Sequence, residues 1–173
     1  MSFKSLISKV FIMGFCGSRQ RALLVAAAGL IVTSSCAGMR ARNAQERYIY
    51  DQTAQHRYAT TCDRVLPEVR QMLFQDGFSV KTVDTSTMTL ETEWLLTDRD
   101  DQGTYEERYL IQATAPTPES CKISTMRSIA SPNGVDTARD LPFEWSILQR
   151  VDPVSADRIL KESEAVYASS KAS

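Results

Sequence analysis

Eleven consecutive residues without a charge, Ala22 to Val32, divide the chain into two parts of different character. A helix that spans a bilayer needs about 20 apolar residues. A run of eleven is instead the length of the hydrophobic region of a secretory signal. Lys4, Lys9, Arg19 and Arg21 precede the run and no acid does, which is the charge sign of a signal's opening segment. Met13 offers a second start, leaving a compact basic segment over 13–21. The folding capacity must therefore lie downstream. Across its 173 residues the chain carries 20 Lys+Arg and 21 Asp+Glu, so it has no global basic field for gripping nucleic acid. Seven Gly and six Pro exclude a collagen-like or low-complexity chain.

The residues after the run, Thr33-Ser34-Ser35-Cys36-Ala37, resemble the lipobox of bacterial lipoproteins. They depart from it at Thr33, where Leu is usual. The resemblance implies that a signal over 1–35 is removed and that Cys36, diacylated on sulfur, becomes the first residue. Ala37, rather than Asp, implies sorting to the outer membrane, facing the periplasm. A plain cleaved signal and an uncleaved anchor stay open, because the chain is uncharged through Met39. Cys16 follows bulky Phe15 and does not suit the motif. Removal of 35 residues from 173 leaves 138, with 16 Lys+Arg against 21 Asp+Glu, a net charge of −5. An acidic body has no general attraction to an anionic membrane. The acyl chains must anchor it, and two or three do so stably where one does not.

Residues 36–60 read as the lipidated Cys and a polar tether, with a linker over 37–46 where nothing repeats at helical or strand spacing. Tyr48, Ile49, Tyr50 and Tyr58 are expected to dock on the domain, and a short strand is expected near His56 to Ala59. A flexible tether of 24 residues would span roughly 25–30 Å. The domain is expected over 61–168, with 169–173 frayed. Val65, Val69, Met72 and Leu73 recur at helical spacing. Pro67 belongs in a first turn and Gly77 at a left-handed C-terminal position, so a helix is expected over 64–76. Alternation marks strands over 78–83, 88–94, 105–114 and 121–129. Loops are expected over 97–104 and 130–139. Phe143, Trp145, Ile147 and Leu148 form a short apolar block. Asp152-Pro153 is an N-cap with Pro at the first position of a long final helix, whose apolar face holds Ala156, Ile159, Leu160, Ser163, Val166 and Tyr167.

The expected fold is α+β: a four-stranded antiparallel meander with an N-terminal helix and a long C-terminal helix packed on its apolar face. The opposite face, with Lys81, Glu91, Glu93, Arg108, Gln112 and Lys122, reads as a solvated surface with cross-strand ion pairs.

Gly77-Phe78-Ser79-Val80, Thr89-Leu90-Glu91-Thr92-Glu93-Trp94, and Tyr105 with Arg108-Tyr109-Leu110-Ile111 resemble stretches of the BamC family, lipoprotein accessories of β-barrel assembly. The likeness covers residues 62–128. It implies a helix-grip fold and a non-catalytic structural or adaptor role in envelope assembly with a protein partner. The chain departs from that family in offering one such domain, where BamC has two, and a short tether. Some helix-grip folds instead hold a lipid or another apolar ligand between sheet and helix. That needs a cavity, and Trp94, Phe78, Ile159 and Tyr167 look large enough to fill it.

Apart from Cys36, the exported part holds Cys62 and Cys121. An even pair in an oxidising compartment makes them a candidate disulfide, with two buried thiols as the alternative. A zinc site of His56, Cys62 and Cys121 lacks a fourth ligand and any Cys-x-x-Cys pair. His56 reads as a surface residue. Glu106 and Glu107 point to opposite faces of a strand, and Asp100-Asp101 lies on a loop. One His, no phosphate-binding glycine loop and no G-x-S-x-G leave neither a catalytic triad nor nucleotide chemistry with support. No motif requires a cofactor or a metal. Trp94 and Trp145 are expected in the core.

Overall fold

A computed structural model of the chain describes residues 25–100 and 103–172. The alternative start at Met13, the basic segment before Ala22, and Asp101 lie outside the described residues. The chain divides into two units, Met1–Ser35 and Cys36–Ser173, and the second carries the fold. It is α+β: helices α1 (Val25–Gln55), α2 (Cys62–Gln75), α3 (Leu141–Val151) and α4 (Pro153–Ala172), with strands β1 (Val80–Asp84), β2 (Thr89–Thr92), β3 (Leu95–Asp100), β4 (Gly103–Thr114), β5 (Lys122–Ser131) and β6 (Gly134–Arg139). No helix among the described residues is long and apolar enough to cross a membrane.

The antiparallel sheet has six strands rather than the expected four, in the order β1-β2-β4-β5-β6, with β3 also on β4. β2 and β3 lie end to end along β4: β2 pairs with its 110–112 stretch and β3 with its 103–107 stretch. Most of the two segments read as loops is strand: residues 97–100 and 103–104 lie in β3 and β4, and 130–131 and 134–139 in β5 and β6, at the ends of two hairpins. Both faces of such hairpin ends meet water, so no apolar alternation announces them. The chain switches faces at Glu93-Trp94. Leu95 packs against the core, whereas Trp94 leaves it and lies under Arg108, whose guanidinium carbon is 4.7 Å from the ring centre.

α2 buries Cys62, Val65, Val69 and Leu73, a spacing of three or four that makes one stripe. It starts two residues earlier than expected, so Pro67 falls in the second turn. At its far end Gly77 takes φ +93°. The N–H groups of Gly77 and Phe78 donate to the carbonyls of Phe74 and Leu73, which closes the helix as a Schellman motif.

α3 is a full helix of 11 residues where only a short apolar block was expected. Asp140 caps it, accepting the Phe143 N–H at 2.9 Å. One residue, Asp152, separates α3 from α4; it accepts the Ser155 N–H at 3.1 Å, with Pro153 opening α4. α4 stays helical to Ala172 rather than fraying at 169. α2 and α3 cover the sheet, while α4 packs chiefly on α3 and contributes Ala156 and Ile159 to the core. At the centre Phe78 meets Tyr109 edge-on and Tyr109 meets Phe143 at a tilt, with ring centres 5.1 and 4.9 Å apart. Tyr167 stays half-buried outside that core.

The expected linker is helix. From Ala41 onward α1 presents Ala41, Gln45, Tyr48, Ile49 and Thr53 at helical spacing, all buried or half-buried. Gln45 donates to Ser163 Oγ at 3.2 Å and Tyr48 donates to Glu162 at 2.8 Å. The expected short strand reduces to one bridge, in which Tyr58 exchanges both backbone hydrogen bonds with Cys121 at 2.8 and 3.0 Å.

Candidate functional site

Cys62 and Cys121 form a disulfide, with Cα atoms 4.9 Å apart and 59 positions apart in sequence. It ties the first turn of α2 to the start of β5, beside the Tyr58 bridge. Neither sulfur is free to bind zinc. Among the described residues no group of three or more His, Cys, Asp or Glu side chains could hold a metal ion. Cys36 is a backbone position on α1, remote in sequence from both.

His56 is not a surface residue. Its side chain is 11% exposed, its Nε2 lies 3.4 Å from Asp152 Oδ2, and its ring meets Tyr58 edge-on at 4.8 Å. The Nε2 makes no hydrogen bond of good geometry. Burial pushes the imidazole pKa down, partly opposed by Asp152. Tyr58 and Tyr109 are pushed up, both chiefly by burial.

The polar sheet face has the expected ion pairs. Glu91 meets Arg108 at 2.9 Å and Lys81 at 3.6 Å. All three side chains remain partly exposed, so the cluster contributes little to stability. Glu107 pairs with Arg127 through two hydrogen bonds. A buried polar cluster joins sheet to helix. Glu144, 3% exposed, accepts from Arg139 twice at 2.8 Å and from the Thr125 N–H at 2.8 Å, and Tyr109 donates to Asp140 at 2.8 Å. Every member is spoken for, which makes it a fastening rather than a reactive site.

A groove of about 670 Å³ lies between α2 and the edge strand β1. Leu66, Pro67, Phe78, Val80, Val83 and Leu90 line it, and Phe74 stands at its lip with 75% of its surface exposed. Val83 is 49% exposed. β1 ends the sheet, so one row of its backbone donors and acceptors faces outward. An apolar lining beside an open strand edge can take an apolar molecule or an extended chain segment. At the end of β1, Asp84 accepts from Ser86 and Thr87, and these hydrogen bonds lower its pKa to about 2. That fixes the turn at the groove's end without offering a proton donor or acceptor for chemistry near neutral pH.

Sequence reasoning named the cysteines and missed the groove. Phe74 sits one position past the buried stripe that ends at Leu73. A large aromatic off the stripe of an otherwise regular amphipathic helix was the available signal. No protein-family model matches the chain, and no curated protein matches it.

Proposed function

We propose that the chain is a lipid-anchored envelope protein whose domain is a non-catalytic adaptor. Cys36 carries the acyl chains, α1 joins it to the domain it packs against, and the α2–β1 groove receives the partner. The observation that carries the reading is the basic segment, the eleven-residue apolar run and Ser34-Ser35-Cys36 in that order. The disulfide fits an exported protein. Placement in the outer membrane, facing the periplasm, rests on Ala37. Kinship with the helix-grip fold and the BamC family rests on the three quoted stretches, and here α3 rather than the long α4 shares the sheet's cover with α2.

The groove favours a second reading, in which the domain holds a lipid or another small apolar ligand. Its open, apolar lining around Phe74 and Val83 is the specific ground.

Two measurements test the proposal. The intact mass and N-terminal peptide of protein extracted from membranes should give an acylated Cys36 as first residue; an unmodified terminus upstream of Cys36 overturns the anchor. Photocrosslinkers at Phe74 and Val83 should capture one defined envelope protein, with probes at Glu91 and Arg108 on the opposite sheet face as comparison. A lipid co-purifying in native mass spectra, with no protein captured, would replace the adaptor by the ligand-binding reading.

A further inference from the structure

The anchor end of the molecule has a charge opposite to that of its body. α1 and α4 run antiparallel, held by Gln45 against Ser163, Tyr48 against Glu162 and His56 against Asp152. Cys36 lies nine residues before Gln45, and Ala172 nine residues after Ser163. At about 1.5 Å per residue, both fall roughly 13–14 Å beyond the same contact. The Cys36 end of α1 and the C-terminal end of α4 therefore lie level.

The charges there have one sign. Between Cys36 and Gln45 the charged residues are Arg40 and Arg42; after Glu164 the only one is Lys171. All three side chains are exposed. Among the described residues none of the three appears in an ion pair. The nearest acids in sequence, Glu46 and Glu164, lie one to two turns inward. A terminal carboxylate at Ser173 would offset one of the three positive charges. Residues 36–173 carry a net −5, so the remainder of the domain carries −8.

We propose that this end is a membrane-contact surface, on which Arg40, Arg42 and Lys171 engage the phosphates of anionic phospholipid headgroups around the anchor. The inference rests on the lipid-anchor reading of Cys36. The acyl chains supply the hold and the basic end supplies orientation: it is drawn to the surface while the acidic body is repelled. The α2–β1 groove, built from other elements, stays clear for a partner. A basic side chain at an anionic surface contributes roughly fivefold in occupancy, so three contribute roughly 150-fold at low salt. The effect fades within a Debye length, about 8 Å at physiological ionic strength.

The test uses the acylated protein in two kinds of vesicle, one of phosphatidylethanolamine with 30% phosphatidylglycerol, the other of phosphatidylcholine alone. Amide hydrogen exchange is followed over 37–45 and 165–172. The expected result is exchange at least threefold slower on the anionic vesicles. The difference should vanish in 0.5 M NaCl and in a variant carrying Arg40→Gln, Arg42→Gln and Lys171→Gln, whose side chains are exposed and whose fold is not at risk. Equal exchange on both vesicles, or a difference that survives the triple substitution, overturns the proposal. The mass of the same preparation reports the anchor separately: an unacylated Cys36 defeats the parent reading and this one with it, whereas an acylated Cys36 with equal exchange defeats this one alone.

Discussion

Glu144 of α3 accepts a hydrogen bond from the backbone N–H of Thr125 in β5, at 2.8 Å. β6 pairs with β5 only from Met126 onward, so the edge of β5 at Thr125 would otherwise carry an unpaired, buried donor. A carboxylate borrowed from a helix completes the ladder, and Arg139, the last residue of β6, neutralises it. Glu144→Ala would leave the Thr125 N–H without an acceptor and Arg139 with only the Ala54 carbonyl. It should cost about 2–4 kcal/mol, read as a lower midpoint in urea at unchanged slope. Glu144→Gln keeps an oxygen for Thr125 and should cost less than half as much.

The Cys62–Cys121 bridge closes a loop spanning 59 positions, which in the chain-entropy model stabilises by about 4 kcal/mol. For a domain of this size, reduction or the double Ser variant should lower Tm by roughly 10–15 °C. A free-thiol assay on the denatured, unreduced protein should find neither Cys62 nor Cys121 reactive. Labelling of both would remove the bridge from the account.

Leu73 and Phe74 are neighbours with opposite expectations. Leu73 is fully buried under the sheet, and Leu73→Ala should cost about 2–5 kcal/mol. Phe74 is 75% exposed, and Phe74→Ser should change stability by less than about 0.5 kcal/mol. If the groove is the docking surface, the silent substitution is the one that abolishes partner capture. Unchanged capture by Phe74→Ser protein would move the interface elsewhere.

At the hairpin tips, Gly103 packs against Pro132. A Cβ on Gly103 would overlap the proline ring, and its φ of +143° disfavours any side chain. Gly103→Ala should therefore destabilise by about 1–3 kcal/mol. Pro132→Ala in the same chain should recover the part due to overlap and leave the part due to backbone strain, which equilibrium unfolding of the single and double variants separates.

What was legible in the sequence is what repeats. α2 showed through Val65, Val69 and Leu73, its end through Gly77, β4 through Tyr109, Ile111 and Ala113, and the start of α4 through Asp152-Pro153. The candidate disulfide followed from counting cysteines. What stayed hidden was structure whose contacts are not apolar. α1 meets α4 through Gln45, which read as solvated linker, and through Tyr48, which was expected to dock but not as part of a helix. β6 and residues 96–98 of β3 are exposed to water, so no apolar alternation marked them. Trp94 looked like core because alternation from Leu90 and Thr92 pointed inward, but the break between β2 and β3 turned it out beneath Arg108. Glu144 was not singled out at all, since nothing in one sequence announces that a ladder will end at Thr125. The groove was hidden for the converse reason: exposed apolar residues look like ordinary core until their neighbours are known.

His56 gives the fold a defined response to acid. The imidazole closes the end of α1 against Asp152, which caps α4, and against the Tyr58 ring. Burial is the largest influence on it and lowers its pKa; Arg158 acts the same way, while Asp152 opposes both. The folded value thus lies below the ordinary value of 6.5, and the unfolded chain binds a proton more readily. Stability is then fully present above about pH 6.5 and declines as pH falls below it, until the folded imidazole itself protonates. Burial pushes the Asp152 pKa up, but hydrogen bonds from Ser155 and the charges of His56 and Arg158 together outweigh it and lower the value, so Asp152 loses its contribution only at more acidic pH, in the carboxylate range. His56→Phe keeps an aromatic edge against Tyr58 and removes the titration. Its urea midpoint should be flat between pH 7 and 5.5, where that of the parent protein falls. A parent midpoint that rises on acidification would mean that the Asp152 ion pair outweighs burial, and would reverse the sign assigned to this residue.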